Sequence, residues 1–287
     1  FFKQKTAYEI RLSLVGSEMC IRDSYSDLPG RFPIESFAGM NYLFVAYIYK
    51  CNYIIVRTMK SRKDEEMVRT FQDIYSEGKA KGHKPSLHVL DNECSKAVRQ
   101  YVTSEDTNIQ LVEPHNHSVN AAEPAVKCMK YHTIASLATM DPNCPIQLWC
   151  RFIEQIEITM NILRTSRHNN NKSAYEDFHG APFDWNRTPL APIGTKALAY
   201  KAPEDRSAWQ PHGADVWYIG PAPEHYRLLN FWDLKTGGIA KTGTFRLYPA
   251  HCRTPTISEG DKIILSLIHI SEPTRLRRIS YAVFCLK

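Results

Sequence analysis

The sequence predicts an α/β fold, a mixed five-stranded sheet with flanking helices, followed by a small C-terminal β module. Three observations lead there. Residues 41–49 and 53–59 are two runs of aromatic and β-branched residues separated by a polar break at 50–52, the pattern of a β-hairpin. Residues 61–112 then alternate in period as helix, strand, helix, strand, which builds a sheet with helices on its faces. Past Pro182 the prolines cluster and the apolar runs shorten, which marks a change to small β architecture.

Residues 25–35 precede the hairpin and offer a partner strand, although Gly30 and Pro33 suit a strand poorly. After the hairpin, Ser61 and Asp64 offer caps. Met67, Val68, Phe71, Ile74 and Tyr75 follow at helical spacing, with Gly78 as the stop. Lys84 and Pro85 lead into a short strand at 87–90 that ends at Asp91. Ala97, Val98, Tyr101 and Val102 mark a short helix, and residues 109–112 one more strand. Two long helical patterns come next. Residues 121–140 carry Val126, Met129, Ile134 and Leu137 on one side; residues 146–163 carry Trp149, Phe152, Ile153, Ile156, Met160 and Leu163. Residues 164–173 turn polar and asparagine-rich, the composition of a linker. Short strands are expected at 197–200, 216–219, 228–232 and 244–247. The division this predicts is a core over residues 25–173 and a β-rich module over 174–264.

The two ends stand apart. The codons open to residues 3–10 include a string whose reverse complement, read in frame, encodes residues 279–286; residues 13–24 relate to 265–276 in the same way, read one base in. Two such matches read as one oligonucleotide, of the kind used as a sequencing-library adapter, translated from both strands. The inverted repeat of a mobile element is the other source of such a relation. Either origin takes residues 1–24 and 265–287 out of the fold reasoning. The apolar run near Val15 is short and flanked by Glu9 and Glu18, unlike a signal peptide.

The formal net charge is +6, but eight basic and four acidic residues in the tails account for +4 of it. Overall basicity, which would point to nucleic acid, therefore carries no weight. No apolar run is long enough to span a bilayer, and no membrane partner is expected. Outside the tails, Cys51, Cys94, Cys128, Cys144, Cys150 and Cys252 are scattered without a C-x-x-C pair. Neither a zinc ribbon nor a disulfide framework follows from that spacing, which fits reduced thiols in an intracellular protein.

Three acids stand out by placement. Asp27 lies in the first strand, Asp91 at the carboxyl end of the strand 87–90, and Glu123 at the start of a long helix. Ligands of open α/β sheets gather at strand ends and helix starts. Three carboxylates there suit two hard cations, one activating an attacking hydroxyl and one stabilising a leaving oxygen at phosphorus. Plainer roles fit the same positions: Asp91 with Asn92 as a turn and cap, Glu123 at a positive helix terminus, and Asp27 before the turn Leu28-Pro29-Gly30.

Several strings resemble the integrase of copia-type retrotransposons, within the retroviral integrase and RNase H-like superfamily. They are Ser26-Asp27-Leu28 with Gly30-Arg31-Phe32-Pro33, Leu90-Asp91-Asn92-Glu93, and Pro114-His115-Asn116-His117 leading to Asn120-Ala121-Ala122-Glu123. Leu148-Trp149, Asn161-Ile162-Leu163-Arg164, Asn186-Arg187-Thr188-Pro189-Leu190-Ala191-Pro192 and Trp217-Tyr218-Ile219-Gly220-Pro221 continue the set in order. The resemblance implies an RNase H-like core and a D,D-E triad of Asp27, Asp91 and Glu123 holding two Mg2+ (or Mn2+) ions. It implies removal of nucleotides from element DNA ends, then joining of the 3′-hydroxyl to target DNA. It further implies DNA partners, homo-oligomers, a mobile loop at 114–120, a DNA-binding C-terminal region, and action in the nucleus. Pro124 stands where the family has arginine after the glutamate, and 31 residues separate Asp91 from Glu123, fewer than in retroviral relatives. This leaves open a catalytically dead remnant that at most binds DNA, and also an RNase H-type nuclease of RNA–DNA hybrids.

Other candidates have weaker support. Arg164, Arg167 and Lys172 form a basic cluster that suits DNA phosphates and equally suits a helix C-terminus. His115 and His117 lack a second ligand pair and read as loop residues. Cys128 and His132, four apart on a helix, read as core in the absence of an orienting acid. Trp185, Trp209, Trp217 and Trp232 are expected to pack the β module.

Overall fold

The run at 42–48 is apolar at every position and that at 53–59 at all but Arg57 and Thr58, so strands made of them must be covered on both faces. In the computed structural model, which describes residues 23–90, 94–112, 121–201, 204, 209 and 211–249, they are. Strands β2 (Tyr42–Ile48) and β3 (Tyr53–Met59) pair antiparallel through a turn at 49–52, where Asn52 takes a left-handed φ of 59°. β1 (Asp23–Asp27) pairs antiparallel with β2 and parallel with β4 (Leu87–Leu90), which pairs parallel with β5 (Asn108–Leu111). The order is β3-β2-β1-β4-β5, a mixed five-stranded sheet. β1 stops before Gly30 and Pro33 and begins two residues ahead of Tyr25.

Helices α1 (Asp64–Ala80), α2 (Lys96–Ser104) and α5 (Ala174–His179) cover one face, burying Phe71, Ile74, Val98, Val102 and Phe178 on Phe44, Tyr53 and Ile55. Helices α3 (Ala122–Ala138) and α4 (Trp149–Leu163) cover the other, burying Val126, Met129, Trp149, Phe152, Ile156 and Met160 on Leu43, Val45, Tyr47, Ile54 and Val56. Consecutive residues of β2 thus face opposite layers, as a pleat demands.

β3 is an edge strand, and its outer backbone groups are met by side chains of α4. Asn161 accepts from the Ile54 N–H at 2.9 Å and donates to the Ile54 carbonyl at 2.8 Å; Glu157 accepts from the Val56 N–H at 2.7 Å. One helix turn therefore imitates a neighbouring strand and closes the edge to further pairing.

Five local expectations need correction. α1 runs on past Gly78 to Ala80, and its N-cap is Lys63, with no side-chain cap from Ser61 or Asp64. Ile134 is 63% exposed, because it lies about 80° round the helix from the stripe through Val126. Leu163 is 67% exposed at the end of α4, where the helix passes the hairpin turn at Asn52. Residues 146–148 form a 3-10 turn before α4 begins. Residues 164–173 are tied back by a Thr165–Ser173 bridge, with Ser166 buried.

The second sheet is antiparallel, in the order β10-β6-β7-β8-β9: β6 (Lys196–Tyr200), β7 (Gly213–Pro221), β8 (Leu229–Asp233), β9 (Ile239–Thr242) and β10 (Phe245–Leu247). β9, absent from the expected strands, and β10 are separated by Gly243 and Thr244 yet flank opposite edges. Five flat strands would span ~19 Å at ~4.8 Å spacing, and two residues bridge at most ~11 Å. The sheet must therefore curl, and its interior holds Ala197, Ala199, Val216, Tyr218, Leu229 and Phe231. Trp217 and Ile219, which alternate with these on β7, point the other way and join the core beneath α4. Trp232 is half-buried against the same core and stacks on Phe37, while Trp185 and Trp209 are 57% and 99% exposed. None of the four tryptophans packs the module interior. Gly194, just before β6, needs to be glycine: its φ is 69°, and a Cβ would lie 2.0 Å from Met140 Cγ. No described helix is long and apolar enough to cross a membrane.

Candidate active site at the carboxyl edge of the first sheet

β1 and β4 run side by side and parallel, so their carboxyl ends open on one edge of the sheet. β3 runs the same way two strands over, and its end leads into the loop 60–63 at that edge. Asp27 is the last residue of β1 and is half-buried. Its Oδ1 accepts the Leu28 N–H at 2.7 Å, which orients the carboxylate and uses one of its several acceptor positions. Leu90 is the last residue of β4, and Asp91, which follows it, lies outside the described residues.

A cavity of about 240 Å3 sits between these strand ends. Ser26, Asp27 and Leu28 line it from β1, Leu90 from β4, Cys94 and Val98 from the start of α2, and Arg62 and Met67 from the approach to α1 and its first turns. Arg62 is exposed, and its guanidinium lies over the Tyr42 ring, 5.2 Å from the centroid. Its place could have been read from sequence: the run Lys60-Ser61-Arg62-Lys63 follows β3 directly, and strand direction alone puts that end beside Asp27.

Glu123 is in the first turn of α3 and exposed. α3 packs against β1 and β2, but no residue of it lines the cavity. Pro124 falls third in the helix, where its missing N–H is one of the donors that no helix satisfies internally. A proline here therefore costs the fold little. Among the described residues, no three Asp, Glu, His or Cys side chains are grouped to hold a metal. Asp27 and the end of β4 are brought together; Glu123 is not shown at the same cavity; Asp91, His115, His117 and the loop at 114–120 lie outside the described residues.

The predicted basic cluster lies at the opposite, amino edge. Arg164 donates from Nε to the Asn52 carbonyl at 3.0 Å, from Nη1 to Cys128 Sγ at 3.5 Å, and from Nη2 to Asn52 Oδ1. Arg167 donates to the Tyr47 and Tyr49 hydroxyls at 2.9 and 3.1 Å, and its guanidinium lies 4.2 Å from the Tyr49 ring centroid. Lys172 pairs with Glu176 at 3.8 Å. Cys128 is half-buried and accepts from Arg164, and burial lowers the pKa of His132.

A larger cavity of about 310 Å3 lies near this amino edge, lined by Asp23, Ser24, Tyr75, His83 and His88 among others. Its floor is a satisfied polar core. His88 is 1% exposed, with Nδ1 2.7 Å from Ser24 Oγ and 3.1 Å from the Tyr75 hydroxyl, and Nε2 2.9 Å from Ser26 Oγ. Burial pushes its pKa down to about 3, so the ring stays neutral. Glu157 is another buried ionisable group. Burial raises its pKa to about 7, against the opposing pull of Arg57, whose Nη1 donates to it at 3.1 Å.

No protein-family model matches the chain, and no curated protein does. A chain in the simian T-cell lymphotropic virus intasome, solved in complex with the PP2A regulatory subunit B56γ, is 14% identical over 77% of this chain and 75% of that one, with a TM-score of 0.45. The HTLV-2 integrase catalytic core domain in complex with magnesium, in its trimeric form, is 17% identical over 55% of this chain and 96% of that one, with a TM-score of 0.41. The BIV integrase catalytic core domain is 10% identical over 55% and 93%, with a TM-score of 0.40. At such identities and scores the likeness is one of outline, and the case for an activity rests on the residues.

Proposed function

We propose that this chain carries a DNA integrase core of the copia type, a polynucleotidyl transferase acting at the carboxyl edge of its first sheet. The observation that carries the reading is the parallel pairing of β1 with β4, which puts Asp27 and the strand end preceding Asp91 on one cavity. The ordered motifs along residues 25–248 support it. Asp27, Asp91 and Glu123 form an all-oxygen donor set, the kind that magnesium or manganese prefers. Two such ions, when bound, would lower the pKa of the attacking hydroxyl and stabilise the leaving oxygen.

The chain's own part is to hold and orient. The Leu28 N–H fixes Asp27, the sheet edge would align a phosphodiester with the carboxylates, and the reading requires Glu123, in the first turn of α3, to join them. In end processing, water attacks a phosphodiester near the element end; the P–O bond to the 3′ oxygen of the retained strand breaks and a free 3′-hydroxyl remains. In strand transfer, that hydroxyl attacks a target phosphodiester, one P–O bond forms as another breaks, and the target strand's 3′ oxygen leaves with a proton. Homo-oligomers, nuclear action, the core and module bounds of 25–173 and 174–264, and the adapter origin of the tails belong to the same proposal.

The test is strand transfer of a labelled element-end duplex with magnesium. Activity in the wild type that is lost in Asp91→Ala and in Asp27→Asn supports the reading; activity that survives either substitution overturns the triad. The second reading, a remnant that binds DNA without joining it, is favoured by Pro124, which removes a basic group next to Glu123. An inactive wild type that regains transfer as Pro124→Arg would support it. Cleavage of an RNA–DNA hybrid in place of transfer would move the chain to the RNase H-type nucleases.

A further inference from the structure

We infer that the surface formed by Trp185 and Arg187, beside the turn that carries Tyr226 and Arg227, is a binding site for single-stranded DNA; the choice of DNA as occupant rests on the integrase reading. Three observations carry it. First, Trp185 is held out by an ordered turn. Asp184 Oδ1 accepts the Asn186 and Arg187 N–H groups at 2.9 and 3.1 Å, and the Asp184 carbonyl accepts the Thr188 N–H at 2.9 Å. The indole is 57% exposed. It meets Phe183 edge-to-face at 4.9 Å, Phe183 meets Tyr175 edge-to-face at 5.3 Å, and Tyr175 stacks on His179 at 4.1 Å. This ladder ties the indole to α5 and leaves ring surface on solvent.

Second, two exposed cations flank the ring. Arg187 follows it by two residues and lies close enough to Tyr175 to oppose the upward push of burial on that hydroxyl. The Arg227 N–H donates to the Arg187 carbonyl at 2.9 Å, so Arg227 and the 67% exposed Tyr226 stand beside it. Third, the neighbouring acids are engaged. Asp184 holds its own turn, Glu176 pairs with Lys172 at 3.8 Å, Asp177 accepts from Ser166 Oγ at 2.7 Å, and Glu224 lies toward Glu154 of α4.

Aromatic faces interleaved with cations suit single strands, because any unpaired base can stack and the backbone meets positive charge. A duplex hides its base faces. End processing as proposed above removes nucleotides from one strand and leaves the complement unpaired, so the reaction itself makes such a ligand.

The experiment uses the full chain as wild type, Trp185→Ala, Trp185→Phe and Arg187→Gln. Binding of a short labelled oligothymidylate and of a duplex of the same length is followed across salt concentration, and oligomeric state is followed by sedimentation. Trp185→Ala should weaken oligothymidylate binding about fivefold to a hundredfold, the range for one base stacked on an aromatic ring, with duplex affinity and melting temperature near those of wild type. Trp185→Phe should restore part of the loss. Arg187→Gln should lower the single-strand salt slope by about 0.7. Unchanged oligothymidylate affinity in both Trp185→Ala and Arg187→Gln overturns the site, as does an equal loss on duplex. A Trp185→Ala variant that changes oligomeric state and binds oligothymidylate like wild type makes the surface a protein interface instead. Tighter binding of oligouridylate than of oligothymidylate overturns DNA as the occupant. These readouts need no strand transfer, so an inactive wild type would remove the integrase reading and leave the binding result to stand or fall by itself.

Discussion

At the amino edge of the first sheet, Arg164 and Arg167 are packed onto tyrosines and a turn carbonyl; at the carboxyl edge, Arg62 lines an open cavity next to an aspartate. Both groups look alike in sequence, as basic residues following an apolar element. Each edge also has a cavity, and the larger one is floored by a neutral histidine whose ring nitrogens are bonded. Neither cavity size nor local charge density identifies the reactive edge. What separates the edges is strand direction, which brings Asp27 and the end of β4 to one cavity.

The sharpest way to break this comparison is Asp27→Asn. If the carboxyl edge does the chemistry, strand transfer should fall by at least about 100-fold, with a melting temperature near that of wild type. A variant as active as wild type would make the two edges equivalent. Next in size is Asn161→Ala, which strips the hydrogen bonds from Ile54 N–H and C=O at the closed edge of β3. Unsatisfied buried backbone groups cost about 1–3 kcal/mol each, so chemical denaturation should show a loss of about 2–4 kcal/mol; a loss under about 1 kcal/mol would mean the edge does not need its helix partner. Arg164→Ala should cost about 1–2 kcal/mol and leave the salt slope of DNA binding unchanged. A slope that falls by about one would show that Arg164 meets phosphate after all.

The smallest effect concerns pH. Glu157 has a folded pKa raised by burial to about 7 from a usual value of 4.5. The folded state therefore binds more protons than the unfolded chain between these values, and this group's contribution to stability declines as pH rises from about 4.5 to about 7, then levels off. Glu157→Gln should flatten the thermal stability profile across that window. An unaltered profile would show that Glu157 stays ionised, held so by Arg57.

Much of this was legible beforehand, for local reasons. The hairpin, the helix over Met67 to Tyr75 and the α4 stripe through Trp149, Phe152, Ile156 and Met160 follow from period and residue type, which act within one element. Asp27 could be placed in the first strand for the same reason, and the structure makes it the last residue of that strand. Ile134 and Leu163 were misjudged because apolar character does not say whether a neighbour lies opposite. The tryptophans of the β module were misjudged because alternation on β7 sends Trp217 toward α4 and Tyr218 inward, and only the curl of the sheet selects which side is inside.

By itself the sequence determined the order and type of the elements of the first sheet, since apolar spacing and turn chemistry act over a few residues. It also determined the acids worth testing, because carboxylates at strand ends and helix starts can be named without coordinates. Only the tertiary structure decided which cations line the cavity beside Asp27 and which pack against the hairpin turn. That depends on strand direction and on partners more than a hundred positions away, such as Asn52 for Arg164, and no local pattern carries that information.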